Sequence, residues 1–224
     1  MHLGGVLVNE IAVYGGGGFA REVAWLVESC NVEAELYRVV CFVDDNPAAH
    51  GLTLNEIPVV GLDDAQARFP YAKIVAGVGS PKTRELVVNK AAAARYEFAT
   101  IIHPRVERSR WVEIGVGTVI CAGSILTTNI VLGHHVQINL DCTVGHDVVM
   151  GDYTTLAPGV HVSGWVHMGK RVYIGTGAVI INGTQNVPLV IGDDAVIGAG
   201  ACVTKSVPAG VTVVGVPAKP LSQR

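Results

Sequence analysis

The feature that most constrains the fold is a large aliphatic residue at every sixth position of the carboxyl-terminal half. The run continues without a gap from Ile114 to Ile180, slips by five residues, and resumes from Ile191 to Val203. A helix repeats its apolar face about every 3.6 residues and a strand every 2, so neither explains a period of six. The period predicts a parallel β-helix of hexapeptides, three to a coil, in which residues about 18 apart stack as paired strands about 4.8 Å apart.

Glycine often follows the aliphatic residue of the hexapeptide. We interpret these glycines as the residues that give each corner its backbone freedom. On this map, residues 114–203 make five coils. The glycines in question are Gly115, Gly133, Gly145, Gly151, Gly169, Gly175, Gly192 and Gly198.

The first hundred residues lack this period and instead alternate short apolar runs with helical patterns. Such alternation predicts a small doubly wound parallel sheet, so we expect an α/β Rossmann-like domain at 1–104 and the β-helix at 105–224. The predicted strands are residues 11–14, 39–43, 58–60, 73–78 and 98–102, and the predicted helices are 19–30 and 81–95.

Ligands of such sheets bind beyond the carboxyl ends of the strands. Three clusters fall there: Gly15–Gly18, Asp44-Asp45, and Gly79 with the following serine. The glycines and Asp44 fit the dinucleotide fingerprint, although a plain tight turn, or a solvated turn at the aspartates, remains open. Because the domain is short for a dehydrogenase, we expect the phosphates of one nucleotide at a helix N-terminus.

The composition of the chain argues against several classes of binding partner. The net charge is −3 and no basic run occurs, which argues against binding to nucleic acid or an anionic membrane. Residues 1–10 do not resemble a signal peptide, and no window of 18 apolar residues predicts membrane insertion. The five cysteines are scattered without a CxxC pair, so we expect reduced thiols in a cytoplasmic protein.

His146 is the candidate base among eight histidines. It lies two residues after an inward aliphatic, hence at a corner, and Asp147 beside it can orient the imidazole and strengthen it as a base. Gly164, one coil on, would leave space and a backbone N–H for a polarised carbonyl, a geometry for acyl transfer. The alternative is an ordinary exposed histidine. Asn139, at the preceding corner, either assists or merely tolerates an unusual φ.

A zinc site is the competing chemistry, because some hexapeptide β-helices hold zinc with three histidines. Here His161 follows His146 by 15 residues, off the same stack, and His167 lies at a different point of its hexapeptide. We therefore expect no metal.

Several segments together resemble the NeuD/PglD-type sugar acyltransferases, which are bacterial acetyl-CoA-dependent enzymes of surface-sugar (lipopolysaccharide-type) biosynthesis. The resemblance covers nearly the whole chain, and its tail is typical of hexapeptide acyltransferases. The segments are residues 10–20 and 41–47, Asn139 with His146-Asp147, the period of six, and Gly215-Val-Pro-Ala-Lys219.

The resemblance implies a left-handed β-helix and a homotrimer with active sites between neighbouring β-helices. It implies His146 as general base, Asp147 as the acid that strengthens it, and an amino-terminal domain that holds a nucleotide-sugar. The nucleotide-sugar residues would be Gly17, Gly18, Phe19, Asp44, Asp45 and Gly79, and acetyl-CoA would run past Thr155, Gly164, Thr176, Ala199 and Lys219.

Two positions depart from the family. Many relatives have histidine where this chain has Phe19, which bears on the sugar or phosphate contacts, and some have histidine in place of Thr155, which bears on a cofactor contact. Neither removes the base. We expect an N-acetyltransferase acting on a nucleotide-linked amino sugar; the alternatives are O-acetylation of a sugar hydroxyl, as in sialic-acid modification, and a non-catalytic sugar-nucleotide-binding trimer.

Overall fold

The computed structural model describes residues 8–221 and divides them into two compact units. One unit comprises the described residues up to Gly79 together with Thr83–Pro104, and the other comprises Ser80–Lys82 and the described residues from Arg105 onward. Most of the amino-terminal segment considered as a signal peptide lies outside the described residues.

The first unit contains a five-stranded sheet whose strand order is β3 (Thr53–Leu54), β4 (Ile57–Val60), β2 (Tyr37–Val43), β1 (Asn9–Tyr14) and β5 (Lys73–Ala76). All neighbouring strands are parallel except β3 and β4, which form an antiparallel hairpin. The carboxyl-terminal residues of β1 and β2 form continuous buried runs, as expected of a parallel sheet covered on both faces. The elements are β1 (Asn9–Tyr14), α1 (Gly18–Ser29), β2 (Tyr37–Val43), a 3-10 turn (Pro47–Ala49), β3 (Thr53–Leu54), β4 (Ile57–Val60), α2 (Leu62–Arg68), β5 (Lys73–Ala76), α3 (Pro81–Ala93) and β6 (Ile101–Ile102).

The predicted α/β class is confirmed, with two elements missed. Strand β3 has only two residues and helix α2 only seven, so neither is long enough to establish a recognisable period. Helix α1 buries the expected stripe, which includes Val23, Leu26 and Val27.

The second unit is a three-sided coil of short parallel strands. Residues 18 apart in the sequence pair with each other, as Val144 does with Val162. A loop after Ile181 inserts five further residues into one coil, so that Ile174 pairs with Ile197. The predicted map and its five-residue slip are therefore confirmed. One side holds β7 (Glu107–Arg108), β10 (Ile125–Leu126), β13 (Thr143–Val144), β16 (His161–Val162), β19 (Val179–Ile180) and β22 (Cys202–Val203); the second holds β8 (Val112–Ile114), β11 (Ile130–Leu132), β14 (Val149–Met150), β17 (Val166–Met168) and β20 (Leu189–Ile191); the third includes β9 (Val119–Ile120), β12 (Gln137–Ile138), β15 (Thr155–Leu156), β18 (Tyr173–Ile174), β21 (Val196–Ile197), β23 (Thr212–Val214) and β24 (Lys219–Pro220).

The stack extends beyond the predicted range at both ends. Arg108 takes the position that pairs with Leu126, and Val213 pairs with Ile197. An exposed arginine at the first aliphatic position hides that hexapeptide from a search for apolar periodicity.

The interpretation of the glycines that follow the aliphatic residues is wrong. Positive φ falls instead on the third residue after the aliphatic, for example Asp147 at +56° and Gly159 at +67°. At Gly151 an added Cβ would lie 2.6 Å from the carbonyl carbon of Gly169, and the other glycines of that set meet similar crowding. These positions need glycine because the next coil passes too close for any side chain.

Candidate active site

The site begins with a contact between consecutive residues at the corner after β13. The Nδ1 atom of His146 lies 2.8 Å from Oδ2 of Asp147. Asp147 has the left-handed φ of +56°, which turns its side chain back onto its neighbour. The His146 side chain is 55% exposed. Asp147 holds its Nδ1 atom, and its Nε2 atom makes no hydrogen bond within residues 8–221.

The other carboxylate oxygen of Asp147 is held from the preceding coil. The Asn129 Nδ2 atom donates to Asp147 Oδ1 at 3.3 Å, and the Asp147 N–H donates to the Thr128 carbonyl at 3.1 Å. Sequence reasoning missed Asn129, although it lies one coil before Asp147 on the 18-residue map.

Gly164 lies directly against the imidazole, which corrects the expected gap. A Cβ on Gly164 would sit 2.5 Å from His146 Cε1, so the space above this glycine is filled by the imidazole itself. The Gly164 N–H donates no hydrogen bond within residues 8–221. Its use as an oxyanion donor stays a prediction.

Trp165 is a second neighbour that sequence reasoning missed. Its indole meets the His146 ring edge-on, with centroids 6.3 Å apart and an interplanar angle of 83°. Like Asn129, it stacks on Asp147 with the 18-residue spacing.

Asn139 is buried, and its Nδ2 atom donates to the Leu156 carbonyl at 2.8 Å. Its φ is not positive, so the alternative explanation from unusual backbone conformation is wrong. Its amide is engaged with the β-helix backbone, and any assistance to His146 stays a prediction.

The expected acetyl-CoA residues differ in exposure. Thr176 and Ala199 are exposed at successive levels of one corner, where the Gly200 N–H donates to the Thr176 carbonyl at 2.8 Å. Lys219 is exposed on β24, opposite Val214. Thr155 is only 1% exposed, so it does not share the exposure of Thr176, Ala199 and Lys219.

The predicted nucleotide-sugar residues line one cleft of about 430 Å³ at the carboxyl ends of β1, β2 and β5. Helix α1 begins there with Gly17 as a cap that makes no side-chain hydrogen bond, so its first N–H groups remain open to an anion. The cleft therefore combines donors for phosphate with carboxylates for hydroxyl or amide groups. The six residues it brings together are Gly17, Gly18, Phe19, Asp44, Asp45 and Gly79.

Asp45 is the centre of a small network in this cleft. It accepts from the Tyr14 hydroxyl at 2.7 Å and from Lys90 Nζ at 2.6 Å. Burial alone would raise the pKa of Asp45, but the hydrogen bonds from Lys90 and Tyr14 outweigh it and lower the pKa. Burial, followed by the bond to Asp45, raises the pKa of Tyr14. Sequence reasoning missed Tyr14 and Lys90, which lie far apart in the chain.

Arg84 was also missed. Its side chain is fully buried, and its guanidinium donates to the carbonyls of Val78 and Gly79 at 2.9 and 3.1 Å. These bonds hold the loop after β5 that forms one wall of the cleft.

Residues 8–221 contain no group of three or more His, Cys, Asp or Glu side chains arranged to hold a metal ion. In the same part of the chain, no helix has the length and apolarity needed to cross a membrane.

A chain that combines a hexapeptide β-helix carrying a His–Asp corner with a Rossmann-like domain carrying a cleft defines a hexapeptide-repeat sugar acyltransferase. The family models agree: residues 10–91 match the PglD N-terminal domain, and residues 147–182 match the bacterial transferase hexapeptide repeats. With the full-length relative described next, they place this chain in the NeuD/PglD-type sugar acyltransferase family, and the left-handed β-helix is confirmed.

Three of the similar proteins match nearly the whole chain. The GDP-perosamine N-acetyltransferase of Escherichia coli O157:H7 is 35% identical over 96% of this chain and 98% of its own. WeeI from Acinetobacter baumannii AYE is 38% identical, with a TM-score of 0.86 over 96% of this chain and 100% of its own. A variant of perosamine N-acetyltransferase from Caulobacter crescentus, solved with CoA and GDP-perosamine, is 27% identical, with a TM-score of 0.86 over 98% and 100%.

Proposed function

We propose that the protein transfers an acetyl group from acetyl-CoA to the amino group of a nucleotide-linked amino sugar. The observation that carries this proposal is the His146–Asp147 contact at a β-helix corner, 2.8 Å long, in a chain that also has a nucleotide-sized cleft. The full-length likeness to a GDP-perosamine N-acetyltransferase supports an amine as the acceptor.

The chemistry follows from the free nitrogen of His146. Nε2 takes a proton from the acceptor amine as the amine attacks the thioester carbonyl, and a C–N bond forms. Asp147 steadies the resulting imidazolium through Nδ1. The Gly164 N–H holds the carbonyl oxygen as it gains charge. Collapse of the tetrahedral intermediate then breaks the C–S bond, and the imidazolium returns its proton to the leaving CoA sulfur.

The two substrates would be held by different parts of the chain. The cleft around Asp44 and Asp45 would bind the nucleotide, with its phosphates at the N-terminus of α1. Acetyl-CoA would follow the exposed corner of Thr176 and Ala199 towards Lys219. GDP-perosamine is the first acceptor to test, because one relative that matches nearly the whole chain is a GDP-perosamine N-acetyltransferase and a solved relative binds GDP-perosamine together with CoA.

The proposed assembly is a homotrimer. Outward side chains on two sides of the β-helix are aliphatic and partly exposed, including Ile125 at 40%, Val131 at 40% and Val190 at 46%. Packing these sides against neighbouring copies would bury them, and would also supply the wall that an open corner lacks for excluding water from the thioester. Each site would then use His146 from one chain and acetyl-CoA contacts from two.

The proposed setting is the cytoplasm, in the synthesis of a bacterial surface glycan such as lipopolysaccharide. All five cysteines are thiols rather than disulfides, which supports a reducing compartment. O-acetylation of a hydroxyl and a non-catalytic binding role are the alternatives to be tested.

The deciding experiment is a thiol-release screen with acetyl-CoA and GDP-, UDP- and dTDP-linked amino sugars, with the products identified by mass spectrometry. CoA release that depends on one amino sugar, with an amide in the product, is expected. An ester product would assign the protein to O-acetylation. Binding of a nucleotide-sugar without thiol release, across the whole panel, would contradict catalysis.

A further inference from the structure

Trp165 has a backbone conformation that a tryptophan rarely adopts. It is the third residue after the inward Val162 and has a φ of +57°. A left-handed φ costs a bulky side chain about 1–2 kcal/mol. The same position is held by glycine at some corners, such as Gly159 at φ +67°, and by other residue types at others, such as Asp147 at +56° and Tyr153 at +60°. The corner therefore does not require tryptophan, so we look to the contacts of the Trp165 indole for the reason that tryptophan is found here.

The indole touches the His146 ring. The two ring centroids are 6.3 Å apart at an interplanar angle of 83°, and the backbone N–H of Trp165 donates to the backbone carbonyl of His146 at 3.0 Å. Gly164 packs beneath the same imidazole, and Asp147 holds its Nδ1 atom. A carboxylate, a backbone and an aromatic ring thus contact the His146 ring, and its Nε2 atom makes no hydrogen bond within residues 8–221.

The backbone that carries the indole is held by the next coil. The Trp165 carbonyl accepts from the Leu189 N–H at 3.0 Å, and the Gly164 carbonyl accepts from the Gly183 N–H at 3.0 Å. A Cβ on Gly183 would lie 2.4 Å from the Trp165 carbonyl oxygen, so the inserted loop packs tightly here. The backbone from which the indole projects is therefore fixed by the next coil.

We infer that Trp165 is a positioning residue, which confines the His146 imidazole to the rotamer that presents Nε2 to the acceptor. The inference rests on the proposed role of His146 as the base. Without the indole, the ring keeps its bond to Asp147 but gains freedom on one side. Misplacement of a reacting group by about 1 Å can cost a reaction about 10²-fold, which sets the scale of the effect.

Three variants test the inference. Trp165→Asn removes the ring and suits the left-handed backbone, whereas Trp165→Phe keeps an aromatic wall. Tyr153→Asn is the matched control: Tyr153 is an aromatic corner residue at φ +60° that stacks on a different histidine, His135, at 5.3 Å.

We expect Trp165→Asn to lower kcat by about 10–100-fold while KM for both substrates changes by less than about threefold. Trp165→Phe should recover most of the activity, and Tyr153→Asn should leave kcat within about twofold of the wild type. The inference is overturned if Trp165→Asn keeps the wild-type kcat. It is also overturned if Trp165→Asn and Tyr153→Asn lose kcat equally and only in proportion to their loss of melting temperature.

A second readout does not depend on acetyl transfer. The rate at which diethyl pyrocarbonate modifies His146, followed by mass spectrometry, reports the confinement of the ring, and exposed His161 serves as an internal reference in the same digest. Trp165→Asn should speed modification of His146 severalfold, with no change at His161. An unchanged rate at His146 would refute the positioning role even in an active enzyme. A faster rate in a protein that acetylates no acceptor would uphold the positioning role and reject the proposed function.

Discussion

The Nδ1 atom of His146 lies 2.8 Å from Oδ2 of Asp147, the next residue in the chain. Consecutive side chains in a strand point to opposite faces and cannot make this contact. Here the left-handed φ of +56° at Asp147 breaks that alternation. The β-helix corner therefore builds a His–carboxylate pair from a dipeptide, whereas other folds bring such partners together from distant segments.

Replacing His146 with alanine should lower turnover by about 10²–10⁴-fold, the usual contribution of a general base. Light scattering should still give the mass of the wild-type assembly, about 70 kDa if three chains of 23.5 kDa associate. His134→Ala, at another corner, is the control and should keep its activity. Near-normal turnover in His146→Ala would remove this residue from the mechanism.

Asn129 should matter through Asp147. Asn129→Ala removes the donor 3.3 Å from Asp147 Oδ1, and a hydrogen bond of this kind contributes about 0.5–1.5 kcal/mol. We therefore expect kcat to fall by about 2–10-fold with KM nearly unchanged. Adding Asn129→Ala to an Asp147→Ala background should have no further effect. Additive losses would mean that Asn129 acts independently of the carboxylate.

Asp45 should contribute to nucleotide-sugar affinity. Asp45→Ala removes the carboxylate that Tyr14 and Lys90 hold at the cleft, so calorimetry should find weaker binding of the nucleotide-sugar and unchanged binding of acetyl-CoA. Glu35→Ala, which removes only an exposed ion pair with Arg38, is the control. The reverse pattern of affinities would mean that the two substrates have been assigned to the wrong halves.

Asp194 should give a pH-dependent contribution to stability. Two hydrogen bonds from Arg171, at 2.9 and 2.8 Å, lower the pKa of Asp194 in the folded state. The free energy of unfolding that Asp194→Asn loses, about 1 kcal/mol for a partly exposed pair, should be constant above the unfolded-state pKa near 3.9. It should shrink as the pH falls through the lower folded-state value.

Denaturant unfolding of wild type and Asp194→Asn from about pH 3 to 8 measures this difference. Asp141→Asn, at an exposed corner carboxylate, serves as the control. A difference that grows as the pH falls would contradict the assigned sign.

The two kinds of glycine should respond differently to alanine. Gly151→Ala places a Cβ 2.6 Å from the backbone of the neighbouring coil, and overpacking of this sort costs about 1–3 kcal/mol or more. Gly159 has a φ of +67° with open space around its Cβ position, so Gly159→Ala should cost only the backbone strain, about 1 kcal/mol. Gly151→Ala should therefore have the lower melting temperature of the two variants. A lower melting temperature for Gly159→Ala would show that the corner backbone constrains glycine more strongly than the contacts between coils do.

Sequence alone determined those features that repeat or lie close together in the chain. The period of six gave the coil register, the slip before Ile191, and Gly164 as the neighbour of His146, because stacking in a β-helix is a fixed offset in sequence. The His146–Asp147 pair was accessible for the same reason. The glycines at strand ends pointed to the nucleotide cleft, because parallel strands share one binding edge.

The tertiary structure decided whatever depends on distances between unrelated positions or on backbone angles. Lys90 and Tyr14 both contact Asp45 although they are far apart in the sequence, and no local pattern encodes that contact. Trp165 and the buried state of Thr155 depend on packing around single side chains, which periodicity does not report. The role of the glycines also required φ values, because a tight turn and a close backbone approach select the same residue type for different physical reasons.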